Sequence, residues 1–180
     1  MTGLDHEIET IMRKAVVEPC VFVVSVDEND KPSGMVAGWN MKVSYDPPML
    51  AVALWKEKHT HTLIQKSGKF VVAVPSAGME DLIEYFGSHS GKDVDKFKET
   101  GIKTLESTHV GIPLLADAFI NYECIVKEIA DPADHMVFFG EIVAAHINPA
   151  KKQAFYTGRN ELGARTYASL GKIGDPSSMS

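Results

Sequence analysis

The sequence has few of the features that mark secreted, membrane-spanning or metal-bound proteins. Among its 180 residues are two cysteines, Cys20 and Cys124, and no CxxC pair, which excludes a disulfide framework and a zinc ribbon. No stretch approaches the roughly 20 apolar residues of a membrane helix. The polar, amphipathic start lacks the basic-then-apolar order of a signal peptide. We therefore expect a cytoplasmic protein with buried thiols and no membrane contact.

Positive charge is also scarce, with 18 Lys and Arg against 24 Asp and Glu, for a net charge of −6. An acidic surface repels nucleic acid, so no such partner is expected. The motifs GxGxxG, HExxH and GxSxG are absent, which gives no support to a Rossmann dinucleotide site, a zinc protease or a serine hydrolase. His59 and His61 have no acidic residue or cysteine at ligand spacing, so we predict no metal site.

Apolar runs separated by turn residues predict a mainly β protein. The predicted strands are 19–26, 34–43, 49–55, 69–74 and two long ones, 118–129 and 135–147. Short helices are predicted at 62–67, 79–86 and 94–99. The long strands are typical of bent barrel strands, and most connections are too short for parallel crossovers. We therefore predict an antiparallel β-barrel with inserted helices.

The domain organisation follows from where this pattern begins and ends. Residues 1–17 are predicted to form an N-terminal helical segment, residues 18–171 the barrel domain, and residues 172–180 a frayed tail.

Two loops combine cations with hydroxyl groups. The first holds Lys58, His59, Thr60 and Thr62 at a predicted helix start, where unpaired N–H groups and the helix dipole favour an anion. The second holds Ser88, Ser90, Gly91 and Lys96. Each loop alone is also compatible with a solvated turn beside a helix cap. Together they indicate a phosphate-bearing ligand.

A third group of residues lies at predicted strand ends. Trp39, Asn40 and Met41 fall near the end of one strand and Trp55 ends the next. Aromatic and amide groups on neighbouring strand ends can form a slot for a flat heterocycle. The same residues can equally close one end of the barrel core.

Several phrases resemble the flavin reductase-like domain family. They include S-x-D-P-P at 44–48, F-G-x-x-S-G-x-x-x-D-K-F at 86–97, and D-H-x-x-F-x-G-E-V at 134–142, where Ile142 replaces the final valine. The resemblance covers roughly residues 18–171 and, within the family, is nearest to the flavoredoxin branch. It implies an FMN-binding split β-barrel of antiparallel Greek-key type that forms a homodimer.

The resemblance also implies roles for the residues above. Those facing the isoalloxazine would be Trp39, Asn40, Met41, Lys42, Ser44, Ala53, Leu54 and Trp55. The ribityl and phosphate groups would fall to Lys58, His59, Thr60, Thr62, Ser88, Ser90, Gly91 and Lys96. His135, from the D-H pair, is the one catalytic candidate, with a structural role at a strand start as the alternative.

Three functions remain open from the sequence. The first is an oxidoreductase that passes electrons from NAD(P)H to FMN and onward. The second is a flavoredoxin-like electron carrier, reduced by a protein such as ferredoxin and without nicotinamide activity. The third is a non-redox protein without flavin, either a binding module or a heme- or pyridoxal-phosphate-binding relative on a similar barrel.

Overall fold

The computed structural model describes residues 18–169 together with positions 8 and 12. The rest of the predicted N-terminal segment at 1–17 and the predicted tail at 172–180 lie outside the described residues. Within residues 18–169 the chain forms eleven strands and three helices. No helix in this part of the chain is long and apolar enough to cross a bilayer.

The element bounds are as follows. The strands are β1 (Val21–Val26), β2 (Pro32–Ala37), β3 (Asn40–Tyr45), β4 (Pro48–Trp55), β5 (Lys69–Val74), β6 (Thr104–Leu105), β7 (Leu114–Leu115), β8 (Ile120–Ala130), β9 (His135–Ile147), β10 (Ala154–Arg159) and β11 (Arg165–Ser169). The helices are α1 (His59–Ser67), α2 (Glu80–Ser88) and α3 (Lys96–Thr100).

Seven strands form one antiparallel sheet in the order β2-β1-β5-β8-β9-β4-β3. Its two edge strands, β2 and β3, are consecutive in the chain and are separated only by Gly38 and Trp39. Three Cα–Cα steps span at most about 11 Å, whereas the outer strands of a flat seven-stranded sheet lie about 29 Å apart. The sheet is therefore strongly curled.

The barrel prediction holds in part. The protein is mainly β, and β8 and β9 are long and carry register shifts at Glu123/Cys124 and Val126/Glu128, which bend the ladder. Among the described residues, however, β2 pairs only with β1 and β3 only with β4, so hydrogen bonds do not close the sheet.

Apolar side chains cover both faces of the central strands. One cluster includes Phe22, Ile83 and Phe86 and places α2 against β1. The other, which includes Phe70 and Phe138, lies on the opposite face. Every residue of β1 is buried for this reason.

Gly140 lets β9 pass under an aromatic ring. A Cβ atom at this position would lie 2.5 Å from Cζ of Phe70 and 3.0 Å from Cβ of Cys124. The core thus accounts physically for the glycine of the D-H-x-x-F-x-G-E-V phrase.

Several elements differ from the prediction. The predicted strand 34–43 is broken at Gly38–Trp39, where the Asn40 amide donates to the carbonyls of Pro19 (2.8 Å) and Gly38 (3.0 Å) and fixes a corner. Helix α1 begins at His59 rather than at residue 62. The hairpin β10–β11 was not predicted, because its strands are polar and only Ala154 and Gly158 are buried.

A buried carboxylate connects β8 to the segment before β7. Glu123 is fully buried and accepts hydrogen bonds from the backbone of Thr108 (2.8 Å), His109 (2.7 Å) and Val110 (3.0 Å). The Thr108 hydroxyl (2.8 Å) and His146 Nε2 (2.7 Å) complete the set. Burial alone raises the pKa of Glu123, but these hydrogen bonds outweigh it and lower that pKa to about 2.

The prediction of buried thiols is confirmed. Cys20 and Cys124 are free and buried, and burial raises the pKa of Cys20 to about 11. Burial also raises the pKa of Cys124. A thiol with a raised pKa is a poor nucleophile, so neither side chain is suited to covalent catalysis.

Candidate functional site

A cavity of about 250 Å³ opens where α1 begins. Its walls come from residues 34–36 of β2, from residues 55 and 57–60, from residues 86–91 and from Lys96. The two loops that the sequence marked for an anion therefore meet at one place. Eight predicted ligand-binding residues line it: Trp55, Lys58, His59, Thr60, Ser88, Ser90, Gly91 and Lys96.

The start of α1 offers hydrogen-bond donors to this cavity. Lys58 occupies the N-cap position without a side-chain cap, and the first turn contains no acidic residue. Thr60 in that turn is buried, with 2% of its surface exposed. The first N–H groups of a helix have no intrahelical acceptor, so an uncapped start beside a cavity favours an anion.

His59 in the same turn is half-buried. Burial lowers its pKa, and the nearby charge of Lys92 lowers that pKa further. His59 is therefore neutral at neutral pH and offers a hydrogen bond rather than a charge.

Lys96 supplies the buried positive charge. Only 3% of its surface is exposed, and its ammonium donates to the carbonyls of Gly34 (2.9 Å) and Phe86 (2.7 Å). Nζ also lies 5.4 Å from the centre of the Phe86 ring. Burial first, and then the charge of Lys58, lower the pKa of Lys96 to about 8.

Gly91 lets the second loop lie against β2 and α1. A Cβ atom there would lie 2.2 Å from Oγ of Ser33 and 3.0 Å from Cδ2 of His59. This contact separates the main cavity from a smaller one of about 110 Å³, which shares His59, Gly91 and Lys96. Close packing against Ser33 and His59 therefore accounts for the glycine at this position.

The serines of the second loop are engaged within the protein. Ser88 belongs to the last turn of α2 and donates to the carbonyl of Glu84 (2.7 Å). The Ser90 hydroxyl accepts a hydrogen bond from the Lys92 backbone (3.2 Å). Both residues line the cavity, yet their hydroxyls contribute to holding the loop in shape.

Three aromatic side chains, Trp39, Trp55 and His135, lie together beside the cavity, and Trp55 is the one that lines it. In the β4–β9 ladder Trp55 lies directly opposite His135, so the two side chains share a face. Trp39 stacks on His135 with ring centres 4.6 Å apart, and Lys58 Nζ lies 5.4 Å from the Trp55 ring centre. Trp39 and Trp55 remain 47% and 42% exposed.

Asp134 fixes the orientation of His135. Its carboxylate lies 2.8 Å from Nδ1, and this hydrogen bond lowers the pKa of Asp134. With Nδ1 engaged by the carboxylate, Nε2 is the ring nitrogen left to contact a bound molecule.

The remaining predicted residues lie outside the cavity walls. Met41 and Lys42 are exposed on β3, while Ser44 and Ala53 are half-buried. The Asn40 side chain is occupied at the Gly38–Trp39 corner. Leu54 is fully buried in the core and Thr62 is half-buried. Their roles toward a flavin stay predictions.

The contribution of β2 to the cavity was not predicted from the sequence. Gly34, Met35 and Val36 line the cavity because β2 runs beneath the loop at 86–91. A β-strand of small and apolar residues has no distinctive ligand signal. The Phe86 carbonyl was also missed, although the F-G phrase placed this residue beside the loop.

A family model and a characterised relative both match most of this chain. A family model described as "Flavin reductase like domain" matches residues 12–162. An NADH-dependent FAD reductase of Streptomyces globisporus is 31% identical over 139 residues, which are 77% of this chain and 75% of that protein.

Solved structures of flavin-related proteins are also similar to this chain. An FMN-binding protein from Thermus thermophilus with bound p-hydroxybenzaldehyde is 27% identical and aligns with a TM-score of 0.76 over 87% of this chain and 88% of that one. A flavoredoxin from Methanosarcina acetivorans is 25% identical, with a TM-score of 0.75 over 88% of this chain and 87% of that one.

Proposed function

The chain belongs to the flavin reductase-like domain family, and from this membership we propose that it binds FMN and passes electrons from NAD(P)H to the flavin and onward. The observation that supports the placement of the cofactor is the cavity at the start of α1. It combines an uncapped helix start with the buried Lys96 ammonium, which no carboxylate in the described residues neutralises.

The donor set of this cavity fits a phosphate group. The helix start, the Thr60 hydroxyl and the Lys96 ammonium are donors of the kind that bind phosphate oxygens. Lys58 adds a second cation at the rim. We place the flavin phosphate here, with the ring extending toward Trp55 and the other aromatic residues.

When bound, the flavin supplies the redox chemistry. The protein binds it, orients it and excludes water from one side. His135, held by Asp134 and stacked on Trp39, is suited to orient a nicotinamide or another flat substrate through Nε2. We therefore propose His135 as the residue at the substrate side of the site.

Two threonines of α1 test the placement of the phosphate. Thr60 lines the cavity and Thr62 does not, although the sequence marked both. A hydrogen bond to a charged group contributes about 1.5–3 kcal/mol. Thr60→Ala should therefore weaken FMN binding about tenfold to a hundredfold, measured by quenching of flavin fluorescence. Thr62→Ala tests the second predicted threonine, which lies outside the cavity walls. Its loss of affinity should be much smaller than that of Thr60→Ala, and equal losses in both variants would contradict this placement.

A flavoredoxin-like carrier is the second candidate. The similarity to a flavoredoxin and the exposed tryptophans near the cavity favour it, because an exposed aromatic edge suits electron transfer to a protein partner. Anaerobic mixing of the flavin-loaded protein with NADH, NADPH or reduced ferredoxin separates the two. Bleaching of the flavin absorbance by a nicotinamide supports the reductase. Bleaching by ferredoxin alone supports the carrier.

We also propose a homodimer and a cytoplasmic location. Exposed apolar side chains are concentrated in and beside the edge strand β3: Trp39, Met41, Val43 and Tyr45, with Met41 64% and Tyr45 91% exposed. Exposed apolar side chains on an edge strand suit burial against a second copy. The two free thiols fit a reducing compartment.

A further inference from the structure

Lys96 makes an unusual set of contacts for a buried lysine. Its ammonium has three N–H groups, and two of them donate to the carbonyls of Gly34 and Phe86. These bonds connect β2 to the end of α2. No carboxylate of residues 18–169 lies within ion-pair distance of Nζ, so the protein groups that stabilise the charge are the two carbonyl dipoles and the Phe86 ring.

The nearby acidic groups are engaged elsewhere. Asp95 pairs with Lys31 (3.2 Å) and caps α3 by accepting from Lys98 N (3.1 Å). Asp27, which lines the smaller cavity, accepts from two backbone N–H groups in its own turn. Neither carboxylate compensates the Lys96 charge directly.

The other ionisable groups around the two cavities are mostly basic. Lys58 and His59 approach from α1, and the charge of Lys58 lowers the pKa of Lys96. His89 faces the main cavity from the end of α2, and Lys92 lies in the loop before α3. Glu57 lines the main cavity and is exposed.

The count of N–H groups separates two roles of this side chain. A neutral lysine amine retains two N–H groups, which is enough for the bonds to Gly34 and Phe86. The third N–H and the positive charge exist only in the protonated form. Deprotonation therefore leaves the packing between β2 and α2 intact but removes the attraction for an anion.

We propose that the flavin phosphate binds only to the form of the protein in which Lys96 is protonated, so that cofactor binding is coupled to uptake of a proton by this side chain. The proposal rests on the proposed function, because it assigns the cavity anion as the phosphate of FMN. It gives Lys96 two separable tasks, which are to position the 86–91 loop and to balance the phosphate charge.

The coupling predicts the pH dependence of binding. The pKa of Lys96 near 8 applies to the protein alone. If only the protonated form binds, the dissociation constant should rise about tenfold from about pH 7 to about pH 9. About half a proton should be taken up per FMN bound near pH 8. The second ionisation of a phosphate monoester, near pH 6, is complete before this range.

Isothermal titration calorimetry in two buffers of different ionisation enthalpy measures both quantities. Lys96→Arg keeps a permanent charge, so binding of FMN should become independent of pH over this range and proton uptake should vanish. Lys98→Arg, an exposed position on the same helix, is the matched control and should keep the original profile. Riboflavin, which lacks the phosphate, should show no proton uptake.

The outcomes distinguish failure of the proposed function from failure of the proton coupling. Absence of FMN binding at about pH 7 would refute the proposed function itself. Binding with no pH dependence in the unchanged protein would overturn only the coupling. An unaltered pH profile in Lys96→Arg would assign the titration to another group and would overturn the coupling as well.

Discussion

Replacing Glu123 by glutamine should strongly destabilise the fold. In one orientation the new amide NH2 would face the N–H groups of His109 and Val110, and in the other it would face the N–H of Thr108. Each buried donor left without an acceptor costs about 1–3 kcal/mol, and the surviving hydrogen bonds lose the strength that the negative charge gives them. We expect a loss of about 2–5 kcal/mol in the free energy of unfolding.

Urea unfolding measures this loss, and Glu128→Gln is its matched control. Glu128 is exposed on the same strand and makes no ion pair or side-chain hydrogen bond in the described residues. A loss of this size lowers the melting temperature by about 4–20 °C in a domain of this length. Equal stability of the two variants would show that the Glu123 hydrogen bonds do not hold the segment before β7.

The same carboxylate makes stability depend on pH. Its pKa is lowered from 4.5 to about 2, so its contribution is complete above the unfolded-state value and is lost as the pH falls from about 4.5 toward 2. Stability of the unchanged protein should therefore decline more steeply in this range than that of Glu123→Gln. Parallel declines would refute the reasoning.

Three further predictions concern packing, chemistry and assembly. Gly140→Ala should lower the free energy of unfolding by about 1–3 kcal/mol, because the new methyl group meets the Phe70 ring. In the control Gly38→Ala the methyl group meets only the flexible end of Glu18, so the loss should be smaller. Chemical denaturation of both variants measures the two losses. His135→Asn should slow flavin reduction by nicotinamide in stopped-flow experiments while leaving FMN affinity unchanged; a loss of FMN affinity instead would make His135 a cofactor-binding residue. Tyr45→Lys should shift the protein to monomer in sedimentation equilibrium, and an unchanged mass would place any dimer contact elsewhere.

Much of the fold was predictable because hydrophobic periodicity is a local property. Strand β9 has the bounds that its alternating pattern predicts, and helix α2 differs by one or two residues at its ends. The hairpin at 154–169 was not predicted because only Ala154 and Gly158 of its strands are buried, which leaves no clear hydrophobic periodicity. Its turn is held by the side-chain oxygen Oδ1 of Asn160, which accepts hydrogen bonds from the backbone N–H groups of Leu162 and Ala164.

The site was predictable only where the functional groups that form it are close together in the sequence. The loops at 58–62 and 88–96 combine cations with hydroxyls and were recognised from composition. That Lys96 is buried depends on two carbonyls from β2 and α2, which no local pattern reveals. The contact of Trp39 with His135 likewise depends on the register of β4 with β9.

The two-residue joint at Gly38–Trp39 has a consequence for assembly of the chain. Hairpins β1–β2 and β3–β4 each form from neighbouring residues, yet they lie at opposite edges of the sheet, and the two-residue link connects the edge strands β2 and β3. The curled sheet forms only when β9 pairs with β4, and these two strands are far apart in the sequence. Topologies dominated by such distant pairings fold slowly. Proteolytic cleavage between Gly38 and Trp39 would release these two edge strands from each other and make their outer edges more accessible to pairing with other chains.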